Sequence, residues 1–179
     1  MLPEFPNVLL VGSNSRKTGK TSLISRLIET YGEKHSIFAI KLAIYDSKDD
    51  LFSHYPEAYE DGTFILKEKE PGDKDSGKFL AVGAKKSWFI AIMQSEINQV
   101  IDLLYDIKSE GGLAVVESTS LRNYILPGLF IFVHSLSTNE KAKAGDFRAL
   151  SDMEVETGSE DFKSIDNSIC IEQDIWVFC

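Results

Sequence analysis

Residues 8–23 have the sequence VLLVGSNSRKTGKTSL, and this stretch decides which class of fold the chain should adopt. A short apolar run, typical of a buried strand, leads into a polar loop that ends in Gly-Lys-Thr and passes directly into a helical pattern. A helix that begins there presents backbone N–H groups and a partial positive charge to an anion. The stretch therefore predicts a phosphate-binding loop that belongs to a nucleoside-triphosphate site.

Three side chains of this loop have specific expected tasks. We expect Lys20 to reach the β- and γ-phosphates and the Thr21 hydroxyl to bind Mg²⁺. The loop departs from the pattern Gly-x-x-x-x-Gly-Lys-Ser/Thr at one position, because Asn14 stands where the first glycine belongs. Asn adopts the left-handed backbone conformation more readily than most residues, so we expect it to replace that glycine. The alternative is a strand–turn–helix in which Gly-Lys-Thr occurs by accident.

Composition and charge exclude several other classes of protein. The chain has 28 acidic and 19 basic residues and a net charge of −9, whereas a general nucleic-acid binder needs a basic face. No apolar run approaches the roughly 20 residues that cross a bilayer, and the N-terminus lacks the basic region of a signal peptide. Cys170 and Cys179 are too few for a disulfide scaffold, and they form no metal-ligand spacing with the histidines. We therefore expect a cytoplasmic NTPase or other enzyme that binds neither nucleic acid nor membrane.

Apolar runs and helical patterns alternate along most of the chain. The runs predict strands at residues 8–11, 36–44, 85–92, 113–117 and 129–133. Such alternation is typical of a parallel sheet with helices on both faces. We therefore predict one α/β domain over residues 1–179, a three-layer P-loop NTPase with a mostly parallel central sheet.

Two helices are predicted from the spacing of apolar residues. The first follows the phosphate-binding loop and ends at Gly32, and the second has Ser95 as its cap and ends at Gly111. Residues 46–77 are predicted to form a long acidic insertion loop, in which residues 63–67 are a candidate strand. Loops of this length are typically lids or mobile segments.

The C-terminal portion, residues 137–179, shows little periodicity. Within it we expect a short helix near residues 140–150 and two closing strand pieces at residues 169–171 and 175–178.

Four stretches occur in the order that is typical of one nucleotide-binding family. They are the phosphate-binding loop, Ala39-Ile40-Lys41, residues 71–76 running on to residues 81–84, and the strand that ends in Glu117. Together they cover roughly residues 7–134, and the chain resembles the P-loop GTPases related to the molybdopterin-guanine dinucleotide biosynthesis protein MobB. It departs from their pattern at Leu42-Ala43-Ile44, where the family has histidines, and at Ser118, where it has glycine.

The resemblance implies GTP binding, slow hydrolysis with Mg²⁺, homodimerisation and an accessory role in molybdenum cofactor assembly. The implied protein partner is a molybdenum cofactor enzyme or biosynthetic protein. The residues by themselves do not choose between GTP and ATP, and only the resemblance favours GTP.

Candidate site residues follow from these patterns. Lys41 ends a buried strand, where its charge requires a carboxylate or a phosphate nearby. Asp75 either faces the nucleotide, as the resemblance implies, or caps a helix. The residues expected to contact the nucleotide are Asn14, Ser15, Arg16, Lys17, Thr18, Gly19, Lys20, Thr21, Ser22, Lys41 and Asp75.

Two carboxylates compete for the role of a magnesium-linked group. Glu117 and Asp46 each follow an apolar strand, and ligands of open α/β sheets bind at the carboxyl ends of such strands. Glu117 either orients the attacking water and acts in catalysis with Lys20, or caps the next turn. The expected metal ligands are therefore Thr21, Glu117 and Asp46.

Two functions of other classes stay open. A small-molecule kinase would add an acceptor site and a lid that carries arginines, whereas the four arginines of this chain are spread out. A nucleotide-binding module that never turns over would need only the loop.

Overall fold

The computed structural model describes residues 1–15, 18–134, 144–156, 165 and 167–179. The helices and strands within these residues alternate over most of the chain. They are β1 (Glu4–Ser13), α1 (Lys20–Tyr31), β2 (Ile37–Tyr45), α2 (Lys48–His54), β3 (Thr63–Lys67), α3 (Asp75–Ala81), β4 (Lys86–Met93), α4 (Asn98–Ser109), β5 (Leu113–Glu117), β6 (Leu126–His134), α5 (Ala144–Arg148), β7 (Met153–Glu156), β8 (Ile169–Glu172) and β9 (Ile175–Phe178). No helix in the described part of the chain is long and apolar enough to cross a membrane.

Seven of the described strands form one sheet in the order β3-β4-β2-β5-β1-β6-β7. Every pair of neighbours in it is parallel except β3 and β4, which are antiparallel. The prediction of an α/β fold with a mostly parallel sheet is therefore confirmed. The carboxyl ends of β1, β2 and β5 lie at the same edge of the sheet, which brings their last residues together.

Alternation along the strands divides the core between the two faces of the sheet. Leu9 and Val11 of β1 pack in a cluster with the apolar side of α1. Val8 and Leu10 of the same strand pack in the opposite cluster, with the apolar side of α4. Both helices bury residues at helical spacing, as their sequences predicted.

The predicted long loop over residues 46–77 is corrected by the structure. It contains α2 and β3, and α3 begins within it at Asp75. The candidate strand at residues 63–67 is confirmed as β3, which pairs with β4. Asp49 and Asp50 lie in the first turn of α2, where negative charge stabilises a helix. Only Leu51 of its seven residues is buried. Such a short helix gives little apolar periodicity, and for this reason the sequence did not show it.

Two further predictions differ from the structure. Ser95 is not the cap of α4, because it lies in a 3₁₀ turn over Gln94–Glu96 and Ile97 precedes the helix. β7 was missed, since a four-residue edge strand with only Val155 buried carries almost no signal. A short helix was expected near residues 140–150, and α5 (Ala144–Arg148) lies within that range. Residues 140–143 lie outside the described residues.

The two strand pieces expected at the C-terminus form an antiparallel hairpin of their own, β8 and β9, and not edge strands of the main sheet. A disulfide joins Cys170 to Cys179 across it. Trp176 of the hairpin is buried in the α1 cluster, with its ring edge-on to Tyr31 at 5.7 Å between centroids. The hairpin therefore buries part of α1.

Candidate functional site

The loop between β1 and α1 ends in a left-handed glycine. Gly19 has a φ of 82°, a conformation that only glycine adopts at no steric cost, and it is the N-cap of α1. No side chain caps this end of the helix, so the first N–H groups of α1 lack a side-chain acceptor. The loop therefore ends in the geometry that an anion site at a helix N-terminus requires.

The ammonium group of Lys20 lies over oxygen atoms of this same loop. It donates to Ser13 Oγ at 2.5 Å, to the Ser15 carbonyl at 3.2 Å and to Thr18 Oγ1 at 3.4 Å. All three acceptors are neutral, and an ammonium binds an anionic oxygen more strongly than a neutral one. The arrangement keeps the charge of Lys20 beside the loop, where a phosphate would compete with these weaker acceptors.

Asn14 does not take the left-handed conformation that we expected of it, because it is absent from the described non-glycine residues with positive φ. It is instead buried, with 2% of its surface exposed. Neither its amide oxygen nor its amide nitrogen has a hydrogen-bond partner. A buried amide without hydrogen-bond partners is costly, and Asn14 does not line the cavity described below, so its contact with a nucleotide stays a prediction.

The register of the sheet places Glu117 between two other site strands. Glu117 at the end of β5 is opposite Val11 of β1 on one side and opposite Lys41 of β2 on the other. Leu113 and Val115 of β5 belong to the α1 cluster, so alternation directs Glu117 to the same face as α1. The carboxylate is thereby placed beside the first turn of that helix.

Thr21 and Glu117 meet at this point. Thr21 Oγ1 donates to Glu117 Oε2 at 3.3 Å, and only 8% of Glu117 is exposed. A hydroxyl and a carboxylate that lie side by side are oxygen ligands of the kind that Mg²⁺ prefers, and Mg²⁺ usually keeps several waters besides. The described residues contain no group of three or more His, Cys, Asp or Glu side chains that could hold a metal ion. Thr21 and Glu117 fit a magnesium ion that keeps most of its water ligands.

Lys41 joins two carboxylates across the site. It forms an ion pair with Asp75 and lies 3.6 Å from Glu117 Oε1. Lys78 approaches Asp75 from the next turn of α3, at 3.7 Å. Burial by itself raises the pKa of Asp75, but the two lysines outweigh it and hold this pKa below its ordinary value of 3.8.

The structure bears on the alternatives that the sequence left open for two residues. Asp75 is a carboxylate partner of Lys41, and contact of Lys41 with a phosphate stays a prediction. Asp75 is the first residue of α3 and not its cap, since Lys74 precedes it in an extended conformation. Its side chain faces the candidate site.

A cavity of about 560 Å³ brings seven of the sequence-predicted residues together. They are Thr18, Gly19, Lys20, Thr21, Lys41, Asp75 and Glu117. Ser15 contacts Lys20 from the loop, whereas Ser22 is exposed and is not part of the lining. Arg16 and Lys17 lie outside the described residues.

Asp46 is not part of this cavity. It lines a different one, together with Ile44, Gln94 and Tyr124. The reason is alternation along β2, because Asp46 continues the series of Leu42 and Ile44, which pack on the α4 side, while Lys41 belongs to the other series. Burial, and to a smaller extent the negative charge of Asp46, raises the pKa of Tyr124 above its ordinary value of 10.0.

Sequence reasoning missed several residues of the site. The Thr119 hydroxyl accepts from the Ser13 backbone N–H at 2.9 Å and donates to the Ser13 carbonyl at 3.1 Å, which ties the end of β1 to the residues after β5. The aromatic side chains of Tyr45, Tyr55 and Phe89 also line the cavity. Tyr45 was detectable, since it shares the alternation of Lys41, whereas Tyr55 and Phe89 reach the site only through the fold.

The chain was compared with known protein families, curated proteins and solved structures. No protein-family model, no curated protein and no solved structure gives a significant match to the chain.

Proposed function

We propose that this chain is a three-layer P-loop NTPase that binds a nucleoside triphosphate with Mg²⁺ in the 560 Å³ cavity and hydrolyses it slowly. The observation that carries the proposal is the 3.3 Å contact between Thr21 Oγ1 and Glu117 Oε2. It places the hydroxyl that follows Gly-Lys at the start of α1 next to a carboxylate from the adjacent strand. These are the two groups that hold magnesium in nucleotide sites of this kind.

Each residue of the site has a task in this proposal. Lys20 and the N–H groups at the start of α1 bind the phosphates. Thr21 and Glu117 hold Mg²⁺, which neutralises negative charge on the phosphates when it is bound. Glu117 also orients the attacking water, while the Lys41–Asp75 pair fixes the neighbouring wall.

The proposal extends to GTP as the nucleotide, to homodimerisation and to a MobB-like accessory role in molybdenum cofactor biosynthesis, with a protein of that pathway as partner. Its support is the resemblance of four sequence stretches. Competition of a fluorescent GTP analogue by unlabelled ATP tests the choice of base. Equal displacement by GTP and ATP would remove the support for this role.

A cytoplasmic location belongs to the same proposal, and the disulfide between Cys170 and Cys179 stands against it. Disulfides persist in oxidising compartments and are rare in the cytosol. Trapping free thiols with an alkylating reagent in intact cells, followed by mass spectrometry of the C-terminal peptide, tests the location. A fully oxidised pair would contradict a cytoplasmic protein.

Lys20→Ala tests the triphosphate site directly. Because it removes the ammonium group that donates to Ser13 Oγ and the Ser15 carbonyl, calorimetry should show triphosphate binding weakened beyond detection. Lys34→Ala is the matched control, since it removes the same charge from an exposed position beyond α1 and should leave the affinity unchanged. Equal affinity of the two variants would end the P-loop interpretation.

One observation favours a small-molecule kinase as a second candidate. A second cavity of about 470 Å³ adjoins the first and shares Lys41, Tyr55, Asp75 and Phe89 with it. A kinase needs such a place for its acceptor, whereas an accessory NTPase does not. Phosphate release that rises in the presence of an acceptor, with the phosphorylated acceptor found by mass spectrometry, would favour the kinase.

A further inference from the structure

The second cavity, which we call the aromatic cavity, lies against the edge of the sheet formed by β3 and β4. It is lined by Lys41, His54, Tyr55, Glu57, Phe64, Leu66, Lys74, Asp75, Ser76 and Phe89. Its volume of about 470 Å³ lies within the range of roughly 300–1,000 Å³ that is usual for small-molecule sites. We propose that the aromatic cavity binds a neutral, planar heteroaromatic molecule of nucleoside size.

Three aromatic side chains form one wall of this cavity. Tyr55 and Phe64 are stacked, with 5.1 Å between ring centroids and 14° between ring planes, and Phe89 lies 5.3 Å from Tyr55. All three side chains are only partly buried. Rings beside a cavity lack contacts on one side, and a flat ligand ring that continues the stack would supply them. The wall therefore favours a planar ring system over an aliphatic or sugar-like ligand.

The fold explains why these rings are left open. Phe89 of β4 is opposite Leu66 of β3, so both point to the same face of the sheet, and Phe64 shares that face by alternation. The neighbouring residues Trp88 and Ile90 point to the other face and are buried under α4. On the Phe89 face, Tyr55, the residue after α2, packs against Phe89 as an aromatic cover.

The charges around the aromatic cavity select a neutral ligand. Two cationic side chains and two carboxylates line it, and these are Lys41, Lys74, Glu57 and Asp75. Lys41 is already paired with Asp75. The lining therefore offers hydrogen-bond donors and acceptors with no net charge, which suits the hydroxyl and amino groups of a nucleoside better than an added phosphate or carboxylate.

This inference does not rest on the proposed triphosphate site, because no residue of the β1–α1 loop lines the aromatic cavity, although Lys41, Tyr55, Asp75 and Phe89 line both cavities. Loss of triphosphate binding in Lys20→Ala should leave nucleoside binding intact. Leu66 lines the aromatic cavity and not the first one, so Leu66→Trp should remove nucleoside binding and leave triphosphate binding intact.

The experiment titrates the full chain with adenosine, inosine and cytidine by calorimetry. Saturating Mg²⁺ and a non-hydrolysable GTP analogue are present, so that the base site of a bound triphosphate is filled. We expect saturable binding of at least one nucleoside and none of ribose, which lacks the planar base. Phe89→Leu keeps an apolar side chain but removes the ring and should weaken this binding about tenfold. Phe178→Leu is the matched control, since Phe178 is exposed on β9 and should leave binding unchanged.

Leu66→Trp provides a second variant that removes no packing. The larger side chain should fill the aromatic cavity and abolish nucleoside binding, while the protein keeps its melting temperature. Binding of none of the three nucleosides would overturn the inference. Equal nucleoside affinity in Phe89→Leu, Leu66→Trp and the Phe178→Leu control would overturn it as well.

Discussion

Glu117 ends the strand that lies between the two other strands of the site, and it contacts a group from each side. Its carboxylate accepts from Thr21 on α1 and lies 3.6 Å from Lys41 on β2. In the proposed site the phosphates are held mainly by Lys20 and backbone N–H groups, so we expect this carboxylate to contribute more to turnover than to binding. The two roles are separable by substitution.

Glu117→Gln keeps the shape of the side chain but removes its charge. We expect triphosphate affinity to survive and the steady-state rate of phosphate release to fall by about 10²-fold, the scale of one positioned catalytic group. Glu33→Gln, on an exposed residue beyond α1, serves as the control and should behave like the natural protein. A rate that Glu117→Gln leaves unchanged would show that this carboxylate is a structural cap.

Asp75 should make the stability of the protein depend on acid pH. The pKa of its carboxyl is lower in the folded chain than its ordinary value of 3.8, although burial opposes this, because Lys41 and Lys78 favour the carboxylate. Its stabilising contribution is therefore complete above about 3.8, the value of the unfolded chain, and is lost as the pH falls through the lower, folded pKa.

Urea unfolding over a series of pH values measures this effect. The difference in unfolding free energy between the natural protein and Asp75→Asn should be largest near neutral pH and should shrink below the ordinary pKa of a carboxyl group. Asp73→Asn, on an exposed residue of the same segment, should show no such loss. A pH-independent difference for Asp75→Asn would mean that the ion pair with Lys41 does not affect folding.

At the scale of elements, the C-terminal hairpin depends on its disulfide. β8 and β9 are short and form no ladder with the main sheet, and isolated two-stranded hairpins are marginal in water. The bond between Cys170 and Cys179 closes a loop over a sequence separation of 9, and closing a loop of this size stabilises a folded chain by roughly 3 kcal/mol. The hairpin also holds Trp176 against α1.

Reduction of this disulfide should therefore lower the free energy of unfolding by about 3 kcal/mol. The measurement is urea unfolding followed by tryptophan fluorescence, with and without a reducing agent. A double variant, Cys170→Ser with Cys179→Ser, should match the reduced protein and should not respond to the reagent. Unchanged stability on reduction would show that packing of Trp176 holds the hairpin without the bond.

For the whole molecule, residues 46–77 connect the candidate site to the edge of the sheet. Tyr55 and Asp75 of this segment line the cavity that also contains Lys20 and Glu117. A ligand in that cavity would contact α3 and the residue after α2 at the same time. We therefore expect the segment to respond to the state of a nucleotide bound in the proposed site.

Hydrogen exchange over residues 46–77 should slow when Mg²⁺ and a non-hydrolysable triphosphate are added, and should slow less with the diphosphate. The reason is that the γ-phosphate distinguishes the two states and lies nearest to Lys20 in the proposed site. Residues 169–178 form the internal control, since the hairpin lines none of the three cavities described above and should exchange equally in both states. Equal protection of residues 46–77 by both nucleotides would mean that this segment is no switch.

The sequence by itself determined the parts of the fold that have a strong local signal. Continuous apolar runs predicted the strands later found as β1, β2, β4, β5 and β6, and helical spacing predicted α1 and α4. The ends of these strands placed Lys20, Thr21, Lys41 and Glu117 at one edge of the sheet, since parallel strands finish together. Elements whose stability comes mostly from contacts with the rest of the molecule, such as α2 and β7, left no such signal.

Only the tertiary structure decided which of these side chains meet. Asp46 and Glu117 were both candidates in the sequence, yet the register of the sheet and the alternation of β2 turned Asp46 to the α4 side and Glu117 to Thr21. Asp75, the ion-pair partner of Lys41, is 34 residues away in the sequence. The aromatic wall combines the residue after α2 with residues of β3 and β4. Local patterns fix the face and the end of each element, because backbone geometry repeats over a few residues. Contacts between distant elements depend on how the sheet is ordered, which no short stretch of sequence contains.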